Sequence, residues 1–182
     1  MKVIGIVGMP ASGKGEFSKI AEARGIPVVV MGDVIRAAVV EAGLEMSDAN
    51  MGKVSSDLRA EHGMGAIALK SIPFVEKQDA PIVVIDGIRG SAEVEIFREH
   101  FPAFLLVAVT ASFETRFGRL KERGRVDDVD SAGALRIRDE RELGWGLGEA
   151  MAMADVEIAN ESGMEEYTAK VARLIGAMEG CP

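Results

Sequence analysis

Gly8-Met9-Pro10-Ala11-Ser12-Gly13-Lys14 has the spacing Gly-x4-Gly-Lys, with Gly15 and Glu16 next. Small residues let a backbone curl until several N–H groups face one set of phosphate oxygens. A helix opening behind them adds its positive N-terminal end. Lys14 supplies a mobile charge for the outer phosphates. Residues 8–16 are therefore the candidate binding segment for ATP, although the Glu16 side chain is expected to turn outward. Gly15 stands where a hydroxyl residue often ligates magnesium. Mg2+ would then be held by nucleotide phosphates and waters, with a carboxylate behind the waters. Asp86, after the apolar run 82–85, is the candidate for that contact; its other reading is a helix cap. Ser12 and Ser18 lie near the loop without holding the usual hydroxyl position.

Arginine is the second signal. Residues 116–141 carry eight basic against six acidic side chains, and seven of the eight are Arg. The chain has a net charge of −8, so this +2 window leaves −10 elsewhere. Local positive potential on an acidic protein points to an anionic ligand. The planar guanidinium suits phosphate because it bonds in pairs and keeps its charge. Arg119, Arg123 and Arg125 are expected at the donor phosphates. Arg116, Lys121 and Arg141 read as a solvated, salt-bridged helix face, and Arg59 and Lys70 as solvated too. Gly124 and Gly133 bracket an acidic turn that could close as a lid and exclude water. Asp33 is expected as the N-cap of a helix over 34–43.

These residues need a scaffold. Runs at 3–7, 27–31, 82–85 and 104–109 are apolar and β-branched, as strands buried on both faces are, with 156–158 a weaker fifth. Helical periodicity lies between them, near 13–24, 33–43, 48–78 (broken, with Pro73), 90–100, 113–123, 131–143 and 163–178. Strands alternating with helices predict an α/β fold with a parallel sheet. The helical stretch 33–78 exceeds a normal crossover and reads as an inserted lobe. The 182 residues suit one domain. One cysteine, Cys181, leaves no disulfide framework, and His62 and His100 are too few for a histidine metal cage. No apolar run spans a membrane, no cleavage site follows the N-terminal run, and net acidity disfavours a nucleic-acid surface. A reducing, cytoplasmic location is expected.

The phosphate loop resembles that of nucleoside monophosphate kinases, where Gly commonly follows the Lys. Met31-Gly32-Asp33-Val34-Ile35-Arg36 resembles the Gly-Asp-x-x-Arg segment of adenylate kinases. Ile85-Asp86-Gly87-Ile88-Arg89 resembles their third-strand segment, with the Arg one place early. Gly124-Arg125-Val126-Asp127-Asp128 is similar to the short lid of uridylate and cytidylate kinases, and 154–160 to dephospho-coenzyme A kinases. Over nearly its whole length the chain resembles an archaeal, adenylate-kinase-related group, in which the run 138–144 is familiar. The resemblance implies a three-layer P-loop fold of about five parallel strands. It implies a core of 1–32, 79–118 and 142–182, an acceptor lobe of 33–78 and a lid of 119–138. It assigns Arg36 and Arg89 to the acceptor phosphate, Arg136 or Arg138 to the later lid position, and Asn160 to the adenine loop. The implied activity is transfer of the ATP γ-phosphate to AMP or a related monophosphate. The alternatives are a dephospho-coenzyme A kinase, in which Asp33 is general base to a ribose hydroxyl, and a nucleotide-binding regulator.

Overall fold

The computed structural model describes residues 1–123 and 131–180. Arg125, the Arg123 side chain and Cys181 lie outside that description, as does most of the expected lid turn. Strands β1 (Lys2–Val7), β2 (Val28–Val30), β3 (Ile82–Ile88), β4 (Phe104–Thr110) and β5 (Val156–Ala159) form one parallel sheet. Its order is β2-β3-β1-β4-β5.

The strands read as continuous apolar runs because helices cover both faces. Successive side chains alternate between the two layers. Val3, Val7, Val83, Ile85 and Leu106 pack with α2 (Met31–Glu41), α4 (Ala66–Glu76) and α5 (Ser91–His100). Ile4, Ile6, Val84, Val107 and Val109 pack with α1 (Lys14–Glu22) and α9 (Met164–Gly180). Each fully buried aliphatic or Phe side chain contributes roughly 1.5–3 kcal/mol. A one-residue slip would turn Ile4 and Ile6 into the wrong layer, so the alternation holds the register. Gly5 leaves room for a ring: a Cβ there would lie 2.4 Å from Phe104.

Between β2 and β3 lie α2, α3 (Asp48–His62) and α4. The expected break in 48–78 falls at Gly63-Met64-Gly65, where Gly63 has φ +87°, and Pro73 lies inside α4. The helix expected over 34–43 begins earlier. β2 is three residues long, and α2 follows it directly with Val30 as N-cap. Asp33 is thus in the first turn of α2 and is not its cap, which corrects that expectation. An acid there still complements the helix dipole.

After β4 come α6 (Phe113–Arg123) and α7 (Ala132–Gly144), the latter capped by Ser131, whose Oγ accepts from the Ala134 N–H at 3.2 Å. Past Gly144-Trp145-Gly146 comes a further short helix, α8 (Leu147–Ala152), whose Leu147 and Ala150 reach the core. Among the described residues no helix is long and apolar enough to cross a membrane.

Candidate active site

The strand order reverses at β1, which has β3 on one side and β4 on the other. Ligands of open α/β sheets bind beyond the carboxyl ends of strands at such a reversal. A cleft of about 1210 Å³ opens there. Pro10, Ala11, Gly13, Lys14, Gly15 and Glu16 line it from the loop between β1 and α1. Ala11 has φ +61°, a left-handed conformation rare outside glycine and typical of constrained sites. Gly8, Met9 and Ser12 lie behind the lining. The Gly8 and Met9 carbonyls accept from Lys14 Nζ at 2.6 and 3.0 Å. Burial lowers the Lys14 pKa to about 8; Asp86 and Glu142 oppose the shift, while Arg89 and Arg138 add to it.

The loop is braced from behind. Asn160 Nδ2 and Arg119 Nη1 donate to the Ser12 carbonyl at 2.9 and 3.1 Å. The Tyr167 hydroxyl donates to the Gly13 carbonyl at 3.0 Å. Gly13 has φ +117°, and a Cβ there would lie 2.1 Å from Asn160 Nδ2. Only glycine permits that approach. Asn160 therefore shapes the loop through its side chain. Arg119 lines the cleft and holds both the loop and the Asn160 carbonyl, the latter at 2.8 Å.

Asp86 lies within β3, which extends beyond the expected strand end. Ile6 pairs with Asp86 and Val7 with Ile88, so Gly87 is an extra residue at a bulge, with φ +99°. Bulges re-aim side chains beside active sites, and Asp86 and Gly87 line the cleft. The next helix is capped by Gly90 and Glu93 instead, so Asp86 is not its cap. Ser18 Oγ donates to Asp86 Oδ2 at 2.8 Å. Among the described residues no group of three or more His, Cys, Asp or Glu could hold a metal. Asp86, oriented by Ser18 and lining the cleft, is a single carboxylate of the kind that a Mg2+ ion carried by phosphates and waters would need nearby.

The opposite wall carries the arginines. Asp33 and Arg36, on α2, form an ion pair at the rim. Arg138, Arg141 and Glu142 share one face of α7 by their 3- and 4-residue spacing. Glu142 is 1% exposed, with Arg138 Nε at 3.1 Å and Arg89 Nε at 3.6 Å. Burial pushes its carboxyl up, but Arg89, Arg138 and Lys14 pull harder and hold it below the usual carboxylate range. Asp48, at the start of α3, takes two bonds from Arg141, at 3.0 and 2.9 Å, and lies 3.3 Å from Arg138 Nε. Gly52 lets α3 approach: a Cβ there would lie 2.8 Å from the Arg141 guanidinium.

Arg89 is also held through its backbone. Glu93 accepts from the Arg89 and Gly90 N–H groups at 2.7 and 3.2 Å, and from Arg59 Nη2 at 2.7 Å. Arg59 is buried and lies 4.5 Å over the Trp145 ring. Its expected solvation is therefore wrong: Glu93 and Trp145 supply a buried pocket for it. The same correction applies to Arg116, whereas Arg141 keeps an ion pair, with Asp48, and is half-buried. Arg116 is buried, makes two bonds to Asp139 at 2.9 and 2.7 Å, and donates to the Pro10 carbonyl at 3.2 Å. Lys70 and Lys121 are exposed as expected. Arg138 lines the cleft, whereas Arg136 stacks on Phe113, 4.3 Å from the ring centroid. Glu142, Asp48 and Glu93 were not singled out from sequence. The signal available for Glu142 was its four-residue spacing from Arg138.

A family profile described as an AAA domain matches residues 7–136. A UPF0200 protein of Methanoregula boonei is 60% identical over 182 residues, the whole of both chains. Another, of Methanoculleus marisnigri, is 56% identical over 99% of this chain and 98% of its own. Among solved structures, TT1252 from Thermus thermophilus aligns with TM-score 0.67 at 16% identity, covering 100% of this chain and 98% of its own. A shikimate kinase from Aquifex aeolicus aligns with TM-score 0.55 at 14% identity, over 98% and 99%. A gluconokinase from Sinorhizobium meliloti gives 0.56 at 19%, over 98% and 95%. At those identities the likeness is one of fold, and the fold is that of P-loop kinases. With full-length identity of 60% to one relative, the chain belongs to the UPF0200 family.

Proposed function

We propose that the protein is an ATP-dependent phosphotransferase of the monophosphate-kinase type, with AMP or a related monophosphate as acceptor. The observation that carries the reading is one cleft that joins the phosphate loop, Asp86 and the Arg36, Arg89 and Arg138 side chains. ATP would lie on residues 8–16, and Mg2+, when bound, would neutralise phosphate charge, with Asp86 contacting its waters. Lys14 would meet the outer phosphates, and Arg119, Arg123 and Arg125 the donor end as parts of a lid over 119–138. Arg36, Arg89 and Arg138 would orient the acceptor phosphate, in a lobe over 33–78, for in-line attack. Val28, Val30 and Met51 supply an apolar stretch of the same wall. Phosphoryl transfer asks little covalent chemistry of a protein, so positioning and fixed charge would supply the acceleration. The substrates are small molecules, and the proposed compartment is the cytoplasm.

A second reading rests on Asp33, an exposed carboxylate in the cleft wall beside Arg36. An acceptor hydroxyl needs a base, and Asp33 could provide one. The deciding assay gives the protein ATP·Mg2+ with AMP, CMP, UMP, dAMP or dephospho-coenzyme A and follows products by mass. Phosphate gained by AMP supports the proposal, and phosphate gained by dephospho-coenzyme A alone overturns it. Nucleotide binding with transfer to no acceptor would instead mark a regulator. Arg36→Ala should cost a monophosphate kinase several orders of magnitude. Asp33→Asn should do so only for a hydroxyl kinase.

A further inference from the structure

Among the acids of the cleft, Glu142 differs from Glu16 and Asp33. Its carboxylate is buried, whereas those two are substantially exposed and paired at the rim. Each of its oxygens serves a different arginine: Oε1 takes Arg138 Nε at 3.1 Å, and Oε2 lies 3.6 Å from Arg89 Nε. The two arginines come from unrelated places, one beyond the end of β3 and one on α7. Arg89 is already fixed through its N–H by Glu93. Glu142 adds the side-chain restraint.

We propose that Glu142 is a positioning residue that holds the Arg89 and Arg138 guanidinium groups together at the acceptor end, set to receive a phosphate group. The inference rests on the reading of this cleft as a phosphoryl-transfer site. Arg89, Arg138 and Lys14 are three cations whose charges all act on Glu142, and without an anion among them they repel. A buried carboxylate offsets that repulsion in the free protein and fixes where the forks point. Stability alone is a weak reason for such a group. Buried ion pairs return little beyond their desolvation cost, and a well-packed apolar residue often does as well. Arg138 is further tied to Asp48, so the arrangement joins the lobe helix α3 to α7.

Simple Coulomb reasoning predicts the opposite sign for the decisive experiment. Removing a negative charge beside an anion site should strengthen anion binding if the charge were all that mattered. Positioning predicts weaker binding in spite of the added positive charge.

The test uses full-length protein with 15N-labelled arginine and saturating Mg2+·ADP, so that added inorganic phosphate reports the acceptor end. Arg89 and Arg138 Nε–H signals are assigned by Arg89→Lys and Arg138→Lys. Phosphate is expected to move both signals in the unaltered protein. Glu142→Gln should weaken phosphate binding about 10- to 100-fold, the usual effect of losing a charge-assisted pair. Glu142→Asp should restore part of it, and Glu140→Gln, on the exposed side of α7, should leave it unchanged. In an Arg138→Gln background the Glu142→Gln change should cost less than it does in the unaltered protein, because one of its two partners is gone. Phosphate that binds Glu142→Gln as tightly or more tightly, or that moves neither arginine signal in the unaltered protein, overturns the inference. If Glu142→Gln does not fold, Glu142→Asp is judged by the same criterion, and affinity equal to the unaltered protein's overturns the inference. Intact phosphate shifts without transfer to any acceptor would remove the kinase reading and leave the positioning role standing.

Discussion

Lys14 must be charged to hold a phosphate, yet its pKa is about 8 in the free protein. Burial is the main cause. Asp86 and Glu142 face it and oppose the shift, while Arg89 and Arg138 reinforce it. With that pKa about half of the lysines are charged at pH 8 and about one-tenth at pH 9. Phosphate oxygens favour the charged form, so binding raises the pKa. Affinity for ATP·Mg2+ should therefore hold steady below pH 7.5 or so and fall about tenfold per unit above about 8, until the pKa of the complex is reached. An ordinary lysine, with a pKa near 10.4, would keep its charge through pH 9 and show no such fall.

Calorimetric titration at pH 7, 8 and 9, in two buffers of different ionisation heat, reads both quantities. Proton uptake per nucleotide should rise from about 0.1 at pH 7 to about 0.9 at pH 9 if the complex's pKa is well above 9. Lys14→Arg, if it binds, should give a flat profile, and Glu142→Gln should move the fall to lower pH. Constant affinity from pH 7 to 9 without proton uptake, with Lys14→Met still abolishing binding, would refute the reasoning. The stability effect has its own sign. The unfolded lysine binds protons more readily, so stability rises with pH between about 8 and 10.5.

Gly13→Ala places a Cβ against Asn160 at a left-handed φ. It should cost about 1–3 kcal/mol in thermal unfolding and weaken ATP binding; wild-type values for both would sink the argument. Glu93→Gln keeps the shape but leaves Arg59 buried beside a neutral partner. Urea unfolding should show a loss of about 3–5 kcal/mol, and a midpoint near that of the unaltered protein would contradict the pairing. Ser18→Ala removes the donor to Asp86. The Mg2+ concentration needed for nucleotide binding should rise about tenfold, and an unchanged Mg2+ titration would rule out its orienting role.

The parts of this site that were legible in the sequence are local ones. The loop 8–15 is recognisable from its own spacing, although Arg116, Arg119, Asn160 and Tyr167, each more than a hundred residues away along the chain, hold its carbonyls. The strands were legible because burial on both faces leaves apolar runs and little else. Charge was harder to read for a physical reason. Arg138 and Glu142 stand four apart, the spacing of an ordinary solvated pair. What changes their meaning is Arg89, which arrives from the end of β3 and makes the acid a shared, buried partner. Arg59 and Lys70 are equally cationic and both lie in the inserted helices, yet one is buried and the other exposed. The difference is Glu93, thirty-four residues away along the chain from Arg59, together with a ring beneath the guanidinium. Arg116 follows the same logic with Asp139. Asp33 fails as a cap for a different reason, because β2 stops after three residues and the helix starts at once. A cation's role is thus decided by the acid that meets it, and that meeting depends on which helix the sheet's strand order brings alongside. The Arg excess over Lys in 116–141 was the one long-range hint. Arg keeps its charge when buried, and in this window Arg116 and Arg138 are ion-paired away from solvent while Lys121 stays outside.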